Sequence, residues 1–171
     1  GAEEDSFFLQ SIQYATVRAG SDVPRKKVLV SAYACEPGVG SEPGVGWRMS
    51  EAISRECDAW VITRKNNRGP VEEEMAKNFY PYLHFSYVDL PPWARFWKKG
   101  ERGVRIYYYL WQFAALWEAR KLMRSVKFDL AHQVTFVNDY MGTFLALLPI
   151  PFVWGPIGSP GKRPEQVWNS V

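Results

Sequence analysis

The sequence predicts a three-layer α/β/α domain with a mainly parallel sheet, and three observations support this fold class. Short apolar runs alternate with stretches of helical periodicity along the 171 residues. Successive runs lie about 30 residues apart, which is the length of one strand–helix unit in a Rossmann-like domain. The composition is globular, because 47% of the residues are hydrophobic and 23% are charged. We therefore expect right-handed crossovers between parallel strands, with helices on both faces of the sheet.

The first half of the chain predicts three buried strands and two helices. The strands are the apolar runs KVLVSAY (27–33), DAWVITR (58–64) and LHFSYVDL (83–90). The first helix is predicted over 41–57, with Ser41 as its N-cap and Pro43 in its first turn. Glu42 lies between them, where a carboxylate favours the positive end of the helix dipole. The second helix is predicted over 69–80.

The second half predicts a long helix, two further strands and a shorter helix. From Val104 onward, apolar residues recur at helical spacing, and we expect this stripe to face the core. The stripe consists of Ile106, Leu110, Phe113 and Trp117. A fourth strand is predicted over 129–136 and a fifth over 151–156. Between them, 138–148 predicts a helix with Asn138 as a possible cap.

Domain division, cysteine content and hydropathy indicate what kind of protein this is. We expect residues 1–25 to be an extension or a vector-derived segment, and residues 26–171 to form one domain. Cys35 and Cys57 match no metal-ligand spacing and no disulfide framework, so a reducing cytosol fits them best. No apolar run approaches the ~20 residues of a membrane span.

The stretch ACEPGVGSEPGVGW (34–47) repeats Glu-Pro-Gly-Val-Gly between the first strand and the first helix. A Walker loop would need Gly-Lys-Ser/Thr, which is not there. A dinucleotide fingerprint would need a third glycine where Pro43 stands. Two interpretations remain open. The glycines expose backbone N–H groups to a ligand, or they only allow a tight turn and close packing of the helix on the strand.

These residues carry a family resemblance. The first strand with AYACEPGVGSEPGVGW, followed by AWVITR, resembles the start of family-four glycosyltransferases, which are retaining enzymes of the two-domain GT-B fold. The doubled EPG followed by Trp is a distinctive signature of one bacterial subset. FDLAHQVTF and VWGPIGSPG follow in the matching order, and the likeness covers roughly residues 27–164.

The resemblance implies that this chain is the acceptor-side half of such an enzyme. A carboxyl-terminal Rossmann-like domain would bind the nucleotide-sugar donor, so we expect the isolated chain to be inactive, and no metal is expected. The glycines implied to face the donor are Gly38, Gly40, Gly44 and Gly46. The residues implied to contact substrate are Ser41, Glu42, Gly155 and Gly158.

His132 lies at the end of the fourth predicted strand, at the position of the family histidine that touches the transferred sugar. An imidazole can donate to a sugar hydroxyl and stabilise an oxocarbenium-like transition state without acting as a nucleophile. The structural alternative is a half-buried histidine that caps the strand. Glu72 to Glu74 form a run typical of a solvated helix face, so no hydrolase pair of carboxylates is evident.

A basic aromatic segment follows the third strand. Between Trp93 and Lys127 there are nine Lys or Arg and two Glu, a net charge of +7. Tryptophan beside lysine is typical of a surface at a membrane interface, and the alternative is that these rings pack the domain. The residues expected to touch an anionic membrane are Trp93, Trp97, Lys98 and Lys99. No recognised motif supports nucleic-acid binding.

Together these features predict the acceptor-binding half of a nucleotide-sugar-dependent retaining glycosyltransferase. The acceptor would be a glycan or a lipid-linked sugar, and the protein would be cytoplasmic or peripheral on the inner face of the cell membrane. Two other functions stay open. One is a non-catalytic module that binds carbohydrate or a membrane surface, and the other is a nucleotide-cofactor Rossmann domain, which the failed fingerprint disfavours.

Overall fold

The computed structural model describes residues 24–91, 100–135 and 143–155, with 100–105 described as helical backbone only. Five strands and three α-helices alternate along these residues. In chain order they are β1 (Lys27–Ser31), α1 (Ser41–Glu56), β2 (Asp58–Arg64), α2 (Arg68–Lys77), β3 (Leu83–Val88), α3 (Gly100–Leu122), β4 (Leu130–Gln133) and β5 (Phe152–Trp154). Short 3-10 helices span Lys65–Asn67 and Phe144–Leu147.

The five strands form one parallel sheet in the order β3-β2-β1-β4-β5. The central strand β1 places Leu29 opposite Trp60 of β2 on one side and opposite Ala131 of β4 on the other. Because the order reverses at β1, the carboxyl ends of β1 and β4 flank the switch point where ligands bind in sheets of this kind. The predicted α/β fold with a mainly parallel sheet is confirmed.

Helices cover both faces of the sheet. On one face, Val30 and Val61 pack in a cluster with Trp47 of α1 and Val71 of α2. On the other face, side chains of β1, β2 and β4 pack in a second cluster with α3 and the later 3-10 helix; its fully buried members include Leu29, Ile62, Ala131, Trp111, Ala115 and Leu145. A Rossmann-like domain has this three-layer arrangement.

The predicted core-facing stripe of α3 is wrong at three of its four residues, and only Leu110 of the four packs against the core. Ile106, Phe113 and Trp117 are 46%, 59% and 73% exposed, whereas Tyr107 and Trp111 on the opposite side of the helix are buried. The helix is apolar on several sides, so its periodicity alone does not select the inner face. The buried side of α3 is one on which a buried polar atom has a hydrogen-bond partner. The Trp111 indole N–H there donates to the Val88 carbonyl at 3.0 Å.

Several element boundaries also differ from the predictions. The first and third strands end at Ser31 and Val88, two residues before the ends predicted for them. Within the predicted helix 138–148, the described part is a 3-10 helix whose cap is Thr143, while Asn138 lies outside the described residues. Arg25, expected in an extension, donates to the Ser54 carbonyl at the end of α1 at 2.7 Å and so packs on the domain.

Candidate functional site

The residues that follow β1, β2 and β4 meet at the carboxyl edge of the sheet. The Ala34 amide donates to Thr135 Oγ1 at 3.1 Å, which joins the segment after β1 to the segment after β4. The Tyr33 carbonyl accepts from Arg64 Nε and from Asn67 Nδ2, both at 3.1 Å, which joins it to the end of β2. We call the edge formed by these segments the carboxyl rim.

The first copy of the repeated motif is an exposed loop on the carboxyl rim. A hydrogen bond of 2.9 Å from the Glu36 amide to the Pro43 carbonyl closes it. Gly38 has φ +74°, a left-handed backbone that favours glycine, and the loop changes direction there. Gly38 and Gly40 are exposed, and a Cβ added at either would meet no atom within 4 Å. Both glycines therefore leave open space at the rim.

The second copy has a different role, because its two glycines lie inside α1. A Cβ at Gly44 would stand 2.0 Å from the Val39 carbonyl oxygen, and a Cβ at Gly46 would stand 2.0 Å from the Ala34 carbonyl oxygen. Both glycines are buried and let the loop backbone rest directly on the helix. The prediction grouped all four glycines in one cleft-facing loop. The structure divides them, two in the loop and two in the helix that supports it.

Ser41 and Glu42 stand where the loop enters α1. Ser41 does not cap the helix as predicted, because Gly40 occupies the N-cap position and no side chain bonds there. Ser41 is instead the first helical residue, with φ +57°, which costs a residue with a Cβ roughly 1–2 kcal/mol. Glu42 is exposed and lies in the first turn of the helix, as predicted. Burial raises the pKa of the Tyr108 hydroxyl, and the negative charge of Glu42 raises it further.

His132 is placed on β4 beside β1, and its ring is held by the end of β5. Its Nε2 lies 2.8 Å from the Gly155 carbonyl oxygen. A carbonyl oxygen only accepts, so Nε2 carries the proton in this pair and Nδ1 is the acceptor of the neutral ring. Gly155 has φ +146°, a conformation that side chains rarely allow. The backbone of Gly155 therefore fixes the tautomer of His132.

The neighbour of His132 on β4 points to the other face of the sheet. Gln133 is buried, and its amide nitrogen donates to the Thr135 carbonyl at 2.8 Å, while its side-chain oxygen accepts from Thr143 Oγ1 at 3.1 Å. Because side chains alternate along a strand, His132 faces the side of the sheet that carries α1. The imidazole and the glycine loop therefore lie at the same end and on the same face of the sheet.

Sequence reasoning missed a second polar group at the carboxyl rim. The Arg64 guanidinium lies 4.0 Å over the Tyr33 ring and donates to the Tyr33 hydroxyl at 3.3 Å. Burial raises the pKa of Tyr33, and the charge of Arg64 opposes that rise. Nearby, the Tyr107 hydroxyl donates to the Asp89 carboxylate, and burial and this carboxylate together raise the pKa of Tyr107. Arg64 is the last residue of β2 and Asp89 directly follows β3. A charged residue at the carboxyl end of a strand was therefore the sequence signal that could have identified both.

The other predicted site residues lie outside the described residues; they are Trp93, Trp97, Lys98, Lys99 and Gly158. In the described part of the chain, no three His, Cys, Asp or Glu side chains come together in a group that could hold a metal ion. The described helices also include none that is both long and apolar enough to cross a membrane.

The chemistry of the carboxyl rim suits a ligand rich in hydroxyl groups. Glu42 supplies a carboxylate acceptor, His132 supplies an imidazole, and the first turn of α1 directs N–H groups and the positive end of a helix dipole toward the loop. The fold and the rim define an α/β domain with a polar site at its topological switch point.

Comparisons with protein-family models, with curated proteins and with solved structures each find no match for this chain.

Proposed function

We propose that this chain is the acceptor-binding half of a nucleotide-sugar-dependent retaining glycosyltransferase that acts on a glycan or a lipid-linked sugar. The proposal combines the motif resemblance with one structural observation. His132 on β4 and the Gly38–Gly40 loop after β1 lie at one end and on one face of neighbouring strands. By the resemblance, His132 contacts the transferred sugar and the glycine loop contacts the donor diphosphate. Because the sugar is bonded to the diphosphate, the histidine and the loop have to lie close to each other.

The rim residues have distinct parts in the proposed reaction. With Nε2–H bound to the Gly155 carbonyl, His132 would accept from a sugar hydroxyl through Nδ1 or, as an imidazolium, donate through it. An imidazolium at this position would also stabilise the negative charge that develops on the leaving diphosphate as the bond to the sugar breaks. The loop and the first turn of α1 would contact the diphosphate of the nucleotide sugar. Glu42 would accept from an acceptor hydroxyl.

The donor and the acceptor would meet between this domain and a donor-binding domain of the same protein. We expect the nucleotide sugar to bind mainly to that second domain, and the reaction to proceed at the front face without a protein nucleophile, as the resemblance implies. We expect the protein to work in the cytoplasm or at the inner face of the cell membrane. A lipid-linked acceptor would be reached there.

Kinetics of a histidine variant test the proposal in the complete gene product. In His132→Ala, we expect the rate of sugar transfer to fall by well over tenfold, because one electrostatic contact in a closed site contributes a factor of about 10²–10³. The measurement is consumption of nucleotide sugars in the presence of a membrane and glycan extract. Unchanged kcat/KM in His132→Ala would return this residue to a structural role.

His84 provides the matched control, because it is a histidine on the same sheet far from the carboxyl rim. It lies near the start of β3, with Nε2 2.7 Å from Asp58 Oδ1 at the start of β2 and its ring 4.5 Å from that of Trp60. In His84→Ala we expect transfer at the rate of the unmodified protein. Equal losses in both variants would indicate a general loss of folded protein, which thermal melts of the two variants would reveal.

A further inference from the structure

The outer face of α3 exposes large apolar side chains in one row. Phe113 and Trp117 are 59% and 73% exposed, and Ile106 and Tyr109 continue the row toward the start of the helix. At helical spacing these four residues fall within one narrow stripe, which runs for about 16 Å between Ile106 and Trp117. We call this stripe the α3 outer face.

A second element extends the α3 outer face sideways. The 3-10 helix Phe144–Leu147 packs against α3, where the Phe113 and Phe144 rings lie 4.4 Å apart. Leu147 of the same short helix is 66% exposed. Exposed apolar side chains on two elements that pack together make a larger apolar surface than single scattered residues, and such surfaces mark interaction sites.

Basic side chains continue the same stripe at the end of the helix. Arg120 follows Trp117 at the spacing of one helical turn, Lys121 lies beside it in the last turn of α3, and Arg124 lies in the turn just after the helix. All three are exposed. Lys121 is 3.5 Å from Glu118, so part of its charge is balanced locally. The patch therefore joins exposed aromatic rings to a group of cations at the end of α3 and in the turn that follows it.

We propose that the α3 outer face docks on an anionic lipid surface. Tryptophan, tyrosine and phenylalanine bury their rings at the level of the headgroups, and neighbouring Lys and Arg are attracted by anionic lipid. A protein partner would also bury aromatic residues, but a cluster of cations that extends the apolar row favours a negatively charged surface. The proposal does not depend on the proposed function, because it rests on exposure and charge alone.

Vesicle binding by the unmodified chain tests the proposal. We expect the protein to co-sediment with mixed phosphatidylglycerol–phosphatidylcholine vesicles at about 0.01 M salt and to dissociate largely at about 1 M, where the Debye length falls to about 3 Å. In Phe113→Ser/Trp117→Ser, we expect the partition coefficient to fall by about tenfold or more. In Arg120→Gln/Lys121→Gln/Arg124→Gln, it should fall by about 100-fold on anionic vesicles and little on neutral ones.

Phe79 is the matched control, because its side chain is 89% exposed and lies just beyond α2, on the opposite face of the sheet. In Phe79→Ser, we expect binding equal to that of the unmodified protein. Thermal melts of each variant check the fold. If the double variant unfolds, quenching of tryptophan fluorescence by brominated phosphatidylglycerol in the conservative Trp117→Phe provides the second measurement, and the quenched fraction should drop.

Three results would overturn the proposal. They are no binding of the unmodified chain at low salt, full binding by the folded double variant, and quenching that Trp117→Phe leaves unchanged. A fourth would assign the face to another occupant. If light scattering shows a dimer that Phe113→Ser/Trp117→Ser abolishes, and vesicles are not bound, the α3 outer face joins two copies of the chain instead.

Discussion

Substitution of Gly46 by alanine tests whether the second copy of the motif is there to support the loop. In an open helical position, glycine to alanine stabilises a helix by about 1 kcal/mol. At Gly46 the new Cβ would stand 2.0 Å from the Ala34 carbonyl oxygen and 2.9 Å from Thr135 Cγ2. Both neighbours would have to move, and Ala34 belongs to backbone that has little freedom.

The expected magnitude follows from these contacts. Relieving the overlap with Ala34 moves the backbone by about 1 Å, and overpacking of this kind costs about 1–3 kcal/mol. The shift also weakens the buried 3.1 Å hydrogen bond from the Ala34 amide to Thr135, which contributes about 1 kcal/mol. After the helix-propensity gain is subtracted, we expect a net loss of about 1–3 kcal/mol. For a chain of this length, that lowers Tm by about 3–10 °C.

The assay is a pair of melts followed by circular dichroism, with Gly69→Ala as the control. Gly69 lies in α2, and a Cβ there would meet no atom within 4 Å. We expect Gly69→Ala to be as stable as the unmodified protein or up to about 1 kcal/mol more stable. If Gly46→Ala proved as stable as Gly69→Ala, the close approach of loop and helix would be refuted.

Three further predictions concern backbone strain, thiol reactivity and pH. In Ser41→Gly, relief of the left-handed conformation should raise the free energy of unfolding by about 1 kcal/mol and so move the denaturant midpoint upward; a lower midpoint would contradict the strain. Burial raises the pKa of Cys35 to about 12, so a thiol reagent near pH 8 should label Cys57 alone in the native protein; labelling of Cys35 would contradict that burial. Burial raises the pKa values of Tyr107 and Tyr108, so the unfolded chain ionises first and stability should fall as pH rises above 10; a flat profile of unfolding midpoints would contradict this.

The sheet could be predicted from the sequence because each strand carries its own local signal. DAWVITR is apolar and β-branched, and the structure has a strand over all seven residues, Asp58–Arg64. The predicted start of the first helix at residue 41 was also correct, although Ser41 is its first residue and not its cap. The inner face of α3 was not predictable in this way, since Trp111 and Trp117 are equally apolar and differ only in their tertiary contacts. Trp111 packs on the Tyr33 ring and donates to the Val88 carbonyl, whereas Trp117 is 73% exposed.

The candidate site was predictable in position but less so in its atoms. Parallel strands place their carboxyl ends at one edge, so the loop after β1 and His132 could be expected near each other. Which imidazole nitrogen is available depends on the Gly155 carbonyl, 23 residues further on, and no local pattern reports that contact. Likewise, the two glycines in α1 look like loop residues until the backbone of Val39 and Ala34 is seen against them.

The stereochemistry of sugar transfer by the complete gene product tests the central claim most directly. The product of nucleotide-sugar consumption can be followed by NMR, in which the anomeric proton of the transferred sugar reports its configuration. We expect transfer from a nucleotide sugar with the anomeric configuration retained, and none from the 171-residue chain alone. No consumption of any nucleotide sugar, or a product with inverted configuration, would contradict the proposed function.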